Sequence, residues 1–82
     1  MPEIARFYGI IIKLFFGDHA PPHFHAIYGE HVGVFDMESL EMTEGDLPQR
    51  ASRLVKEWAT TYRQDLLAMW TNQEFHKLPP LE

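Results

Sequence analysis

Residues 18–26 read Asp-His-Ala-Pro-Pro-His-Phe-His-Ala and separate two apolar runs that have the composition of β-strands. The two prolines force extended backbone, so we expect a loop over residues 17–22 and a strand that begins at His23. Side chains alternate between the two faces of a strand. His23 and His25 therefore share one face of this strand, and Phe24 points to the other.

The β-rich half of the sequence predicts four to five short strands. They are Ile4–Phe7, Ile10–Phe16, His23–Tyr28, His31–Asp36 and Leu40–Thr43. Tight turns at Tyr8-Gly9 and Gly29-Glu30 join neighbouring strands, and the second has the Gly-X order that suits a type II′ turn. Connections this short predict an antiparallel meander.

The period of the apolar residues changes to three and four after the last strand, which predicts an amphipathic helix over Leu47–Asn72. Asp46 and Gln49 have the spacing of an N-cap and its capping box. A helix of this length would extend roughly 39 Å, which exceeds a domain of this size unless the helix bends near Thr60-Thr61. The fold class is α+β, with the helix, bent or split, packed on one face of the sheet.

Length and composition set limits on the function. The 82 residues form one domain, 1–82, with an irregular, frayed tail over 75–82. The chain has no Cys, which excludes thiolate metal sites and a Cys nucleophile. The net charge of −5 disfavours nucleic acid as a partner. Lys13 interrupts the longest apolar run and no signal-peptide pattern is present, so we expect a cytoplasmic protein without a membrane partner.

A single helix can cover only one face of the sheet, and the face that carries His23 and His25 is expected to be the uncovered one. Ile11, Phe15 and Phe35 are expected to lie beside the two histidines. Contiguous exposed apolar surface is uncommon on a monomer. The sequence therefore predicts a contact there, with a second copy of the chain or with another protein.

The two histidines are also candidate metal ligands. Their Cα atoms should lie about 6.5–7 Å apart on one face, so both imidazoles can bind one divalent ion. The candidates for a third ligand are Asp18, His19, Asp36 and Glu41. The same residues could act in acid–base catalysis. A third alternative is structural, with one imidazole bonded to a backbone carbonyl and the other in an interface.

Several segments also carry a family resemblance. They are Met1-Pro2-Glu3-Ile4, Arg6-Phe7, Gly9-Ile10, Asp18-His19, the Pro-Pro-His-Phe-His-Ala run at 21–26, Phe35-Asp36, Trp58, Leu66-Leu67 and Trp70. In these segments the chain resembles a small bacterial family called domain of unknown function 4160. The resemblance implies a short stand-alone protein, often encoded beside another small protein, and a toxin–antitoxin-like two-protein module. It assigns no catalytic residues.

Together these observations predict a protein–protein interaction subunit that binds itself or a small protein encoded nearby. The functional motif is expected to be Asp18, His19, His23 and His25. The alternative is a metal-binding protein or a small nuclease-like hydrolase, in which His23 and His25 are ligands or acid–base residues. Whether the chain is an enzyme is left open, and a divalent metal ion is the candidate cofactor.

Overall fold

The structure is a computed structural model that describes residues 3–82; Met1 and Pro2, which the resemblance includes, lie outside the described residues. Its elements are β1 (Glu3–Phe7), β2 (Ile10–Lys13), β3 (His23–Tyr28), β4 (His31–Asp36), β5 (Met42–Gly45) and α1 (Gln49–Asn72). The five strands form one antiparallel sheet in chain order. The predicted α+β meander with a C-terminal helix is confirmed.

The hydrophobic core lies between α1 and one face of the sheet. Phe24 and Phe35 are fully buried and their rings stack with centroids 5.4 Å apart. Trp58 of the helix, also fully buried, meets the Phe24 ring edge-on at 6.2 Å. Each large apolar side chain buried in this way stabilises the fold by about 1.5–3 kcal/mol relative to exposure. These contacts fix which face of the sheet the helix covers.

The placement of Phe35 on the uncovered face was wrong. The register pairs Phe35 with Phe24, and directly opposite residues of paired strands point to the same face. Because Phe24 faces the helix, Phe35 does as well, and it is fully buried. Val34, one residue earlier, occupies the uncovered face instead.

Strand β5 begins two residues later than predicted because the turn before it is longer. One carboxylate oxygen of Asp36 accepts hydrogen bonds from the backbone N–H groups of Glu38 and Ser39, at 2.7 and 2.9 Å. Leu40 then adopts a left-handed φ of 63° and donates its N–H to the Asp36 carbonyl. A left-handed residue cannot belong to a regular strand, so pairing resumes only at Met42–Gly45.

Strand β2 is shorter than predicted and ends at Lys13. Leu14 remains fully buried, but the chain then leaves the sheet and turns at Gly17, whose φ is 68°. The N–H of Gly17 donates to the side-chain oxygen of Gln73, 2.8 Å away. The loop that precedes β3 is thereby attached to the C-terminal end of the helix.

The helix begins at Gln49, and the predicted capping box is wrong. Pro48 occupies the N-cap position, and no side chain caps the helix. A residue before proline is held in extended geometry, which keeps Leu47 outside the helix and in the core. Asp46 continues the pairing of β5 instead, since its N–H donates to the carbonyl of Val32 at 3.1 Å.

The helix bends, as its length required. Tyr62 has non-helical dihedral angles, φ −109° and ψ 18°, directly after the predicted position at Thr60-Thr61. A straight helix of 24 residues would be about 36 Å long, whereas the longest dimension of the molecule is 31 Å. The bend keeps both halves of the helix on the sheet.

The tail after the helix has neither helix nor strand, and it packs against the rest of the domain. Leu78 is nearly buried and donates its N–H to the carbonyl of Ile4 at 2.7 Å. The indole N–H of Trp58 donates to the carbonyl of Pro79 at 2.8 Å. A buried indole needs such a partner, so the tail completes the core.

Candidate metal centre

His23 and His25 point to the face of the sheet opposite Phe24 and the core, which we call the open face, and the C-terminal end of α1 reaches this face at Trp70. Both are half-buried, whereas Phe24 and Ala26 between and after them are fully buried against the helix. The two imidazole centroids are 5.4 Å apart. The alternation of β3 therefore brings the two rings together outside the hydrophobic core.

Two aromatic rings enclose the pair of imidazoles. The ring of Trp70, near the end of α1, lies 5.1 Å from the His23 ring. Phe15, in the loop after β2, meets the His25 ring edge-on at 4.7 Å. Packing on both sides restricts the rotation of the imidazoles, which holds a site in one arrangement.

Hydrogen bonds orient His23. Its Nδ1 lies 2.8 Å from the carbonyl oxygen of Pro21, which can only accept, so Nδ1 carries a proton. Its Nε2 lies 2.9 Å from Oδ2 of Asp18. At this distance the two atoms share a hydrogen bond, since ligand atoms that share a metal ion lie farther apart.

Asp18 is held in its ionised form. Its partial burial on its own would raise the pKa, but the backbone N–H of His19 donates to the carboxylate at 2.9 Å, and His23 adds a favourable charge. The result is a pKa below the ordinary value of 3.8. Near neutral pH the carboxylate is therefore available as a ligand.

His25 is the least satisfied polar group of the site. Its Nδ1 is buried and has no hydrogen-bond partner within residues 3–82. Burial lowers the pKa of His25, the nearby His23 lowers it further, and Asp18 and Glu44 oppose this effect only in part. The imidazole is thus neutral near pH 7, which is the form that binds metals.

The three side chains come close enough to share an ion. One nitrogen of each imidazole and one oxygen of Asp18 lie within 4.8 Å of one another. Bonds of about 2.0–2.2 Å in a tetrahedron place ligand atoms roughly 3.3–3.5 Å apart. The Asp18 and His23 atoms lie closer than this, at 2.9 Å, so the carboxylate would have to move away from the imidazole when an ion binds.

A cavity of about 310 Å³ opens directly onto these three side chains. Its lining consists of Asp18, His19, Pro21, His23, His25, Val34, Asp36, Thr43 and Glu44. Three of these residues are carboxylic acids and none is Lys or Arg. The cavity therefore favours a cation over an anion.

The profile of a family described as domain of unknown function (DUF4160) matches residues 9–71. The chain belongs to this family. The DUF4160 match extends from the first turn to the end of the helix and contains the whole candidate site. No match is found among curated proteins or among solved structures. Because the family description names no activity, the function must be argued from the geometry of the site.

The structure brings Asp18, rather than the other candidates, to the two histidines of the DUF4160 site. The side chain of His19 is 89% exposed and lies beside Asp18 without joining the cluster. Glu41 pairs with Lys56 at 3.2 Å instead. Asp36 lines the cavity, but its carboxylate accepts two backbone N–H groups, which lower its pKa.

Sequence reasoning missed three neighbours of the site. Trp70, named above only for the family resemblance, contacts the His23 ring. Thr43 and Glu44 line the cavity because β5 extends beyond Thr43. Glu44 lies opposite Val34 on the open face because the register of β4 and β5 shifts between Val34 and Phe35, and alternation alone does not predict this. Ile11 and Phe15, predicted for a contact surface, are half-buried.

Within residues 3–82, no helix combines the length and apolar character needed to cross a bilayer.

Proposed function

We propose that this protein binds a divalent transition-metal ion through Asp18, His23 and His25. The observation that carries the proposal is that one nitrogen each of His23 and His25 and one oxygen of Asp18 lie within 4.8 Å of one another, while Nδ1 of His25 is buried without a hydrogen-bond partner. An unsatisfied buried polar atom costs about 1–3 kcal/mol, so an apolar residue would stabilise the fold better. A functional requirement for an imidazole accounts for its presence.

The protonation states support the same conclusion. Metal ligands must be deprotonated at the binding atom. Asp18 is ionised and His25 is neutral, and Nδ1 of His23 contacts the Pro21 carbonyl, so Nε2, which contacts Asp18, is the nitrogen that would bind the ion in place of that contact. A ligating histidine that donates its other N–H to a backbone carbonyl is the usual arrangement around protein-bound metals.

The ligand set also indicates the kind of ion. Two imidazoles and one carboxylate favour zinc, iron, cobalt or nickel over calcium and magnesium, which prefer oxygen ligands. Three protein ligands leave at least one coordination position for water or an added ligand. The adjoining cavity provides space for such a molecule.

A thermal-shift titration of the chelator-treated protein with Zn²⁺, Ni²⁺, Mn²⁺ and Ca²⁺ tests the proposal. At a free ion concentration 100 times Kd, binding stabilises the fold by about 2.7 kcal/mol. For a domain of this size that corresponds to roughly 10–20 °C. Asp18→Asn and His25→Ala should abolish the Zn²⁺ shift, whereas the matched control His31→Ala, at an exposed position, should retain it.

A second measurement separates a ligand from a merely structural histidine. In metal-free protein, His25→Leu should raise the free energy of unfolding by about 1 kcal/mol, because it removes the unsatisfied nitrogen. With Zn²⁺ present, the same variant should be less stable than the wild type. The proposal fails if Zn²⁺ does not shift the wild type, or if His31→Ala loses the shift as completely as His25→Ala does.

Interaction with a protein is the second candidate function. The observation that favours it is the apolar surface of the open face, where Ile11 and Ile27 are only half-buried and Val32 is 46% exposed. A role as one subunit of a two-protein module, with a small protein encoded nearby, stays a prediction. Co-purification of the two proteins when both are expressed together would test it.

A further inference from the structure

The strand register arranges the open face into two rows of side chains that cross the sheet. The apolar row consists of Ile11, Ile27 and Val32. The charged row consists of Lys13, His25, Val34 and Glu44, and Glu3 of β1, which pairs with Arg6, lies opposite Lys13 at the end of the row. Each strand that a row crosses contributes one side chain to that row. A side chain on one half of the sheet therefore has a counterpart in the same row on the other half.

The charged row is self-complementary. Lys13 on β2 and Glu44 on β5 carry opposite charges and lie at equal distances from the line between β3 and β4. Three strand spacings separate them, roughly 14 Å. Within residues 3–82 neither side chain forms an ion pair or a side-chain hydrogen bond. Both charges are therefore available to a molecule that covers the open face.

We propose that two copies of this chain pair through their open faces about a two-fold axis that runs along the strands between β3 and β4. This rotation exchanges the two halves of the sheet. It places each Lys13 opposite the partner's Glu44, and each Ile27 opposite the partner's Val32. Such an interface is isologous, because every contact occurs twice.

The dimensions suit this arrangement. Sheets that pack face to face lie about 10 Å apart, and a lysine side chain is long enough to reach a carboxylate across that gap. The pairing buries the apolar row, which accounts for a solvent-exposed Val32 on a chain of this size. A second copy supplies the matching charges and apolar side chains at the required spacing, which selects it over an unrelated protein.

The dimer also changes the candidate site. Glu44 lines the cavity, and no Lys or Arg of the same chain does so. In the dimer the ammonium group of the partner's Lys13 lies beside Glu44 at the edge of this cavity. Each copy thus contributes a cation to the other copy's cavity.

Charge reversal tests the proposal by sedimentation equilibrium and light scattering on chelator-treated protein, so that the result is independent of the metal site. Lys13→Glu alone and Glu44→Lys alone should each weaken self-association on the order of 100-fold, since each creates two like-charge contacts. The double variant Lys13→Glu/Glu44→Lys should restore it. The controls Arg63→Glu and Glu57→Lys make the same changes of charge on the exposed side of the helix and should leave the dimer intact.

Mixing gives the most specific result. The two single variants, each monomeric alone, should form a heterodimer when combined, because every contact then joins opposite charges. Circular dichroism confirms that each variant is folded. Should a variant be unfolded, Val32→Glu serves in its place and should abolish the dimer without lowering the melting temperature of the monomer. A wild type that stays monomeric at high concentration, or a dimer that tolerates both single reversals, would overturn the proposal.

Discussion

Substitution of Gly45 by alanine tests how β5 is held in the sheet. Gly45 has a left-handed φ of 87°. A Cβ atom at this position would overlap the carbonyl oxygen of Val32 and lie 3.0 Å from Cα of Gly33. Both atoms belong to the backbone of β4, so no side-chain rotation can relieve the overlap. Strand β5 would have to move away from β4.

The magnitude follows from what this movement breaks. The left-handed conformation costs a non-glycine residue roughly 1–2 kcal/mol. The hydrogen bond from the Asp46 N–H to Val32 would be lost, about 1 kcal/mol. Leu47 is buried and lies two residues after Gly45. It would lose part of a burial energy of about 2 kcal/mol. We expect Gly45→Ala to destabilise the protein by about 4 kcal/mol, a large share of the roughly 4–12 kcal/mol available to a domain of this size.

Urea unfolding, followed by the fluorescence of the buried Trp58, measures this loss. Gly17→Ala is the matched control, because Gly17 also has a left-handed φ, 68°, but a Cβ atom there would meet nothing within 4 Å. Gly17→Ala should lower the free energy of unfolding only by the cost of the left-handed backbone conformation, about 1–2 kcal/mol. Equal losses in Gly17→Ala and Gly45→Ala would refute the overlap with β4.

Three further predictions concern the turn, the tail and the core. The N–H groups of Ser39 and Glu38 lower the pKa of Asp36 below its ordinary value of 3.8. The stability that the ionised carboxylate contributes is complete above that value and is lost as the pH falls through the lower folded pKa. Urea midpoints should therefore differ between wild type and Asp36→Ala at pH 7 and converge only when the pH falls below the lowered folded pKa of Asp36, and a constant difference would contradict this. Leu78→Ala should lower stability by about 2–3 kcal/mol by detaching the tail, measured as a lower melting temperature, and an unchanged value would mean that the tail is dispensable. Phe35→Ala should lower the free energy of unfolding by about 3–5 kcal/mol in dilute, monomeric protein. If Phe35 lay on the surface, the same substitution would change the free energy of unfolding very little.

The sequence was most informative where local rules agree or where a single geometric limit applies. Strands β3 and β4 were predicted with the correct bounds, because alternation, proline and a two-residue turn agree there. Gly29, with a φ of 59°, occupies the turn between them as expected. The bend of the helix could be predicted from length alone, since a straight helix does not fit a domain of this size. The grouping of His23 with His25 followed from the period of a strand.

The remaining errors arose where tertiary contacts override local pattern. The spacing of Asp46 and Gln49 predicted an N-cap at Asp46. The backbone N–H of Asp46 instead donates to a carbonyl of β4, and Leu47 is buried in the core, so the helix begins later. The turn built around the carboxylate of Asp36 shifted β5 by two residues, which hid Glu44 from the sequence argument. The choice of Asp18 over the other candidate ligands depends on the path of a loop, which no periodic rule predicts.

The attachment of the tail to β1 has a consequence for aggregation. Fibrils of sheet proteins elongate when strands of new molecules add at both unpaired edges. At the outer edge of β1, the carbonyl of Ile4 is already occupied by the N–H of Leu78, so an incoming strand must first displace the tail. The opposite edge, β5, has only four residues. One edge is therefore guarded and the other is short, and removal of residues 76–82 should make the protein more prone to polymerise.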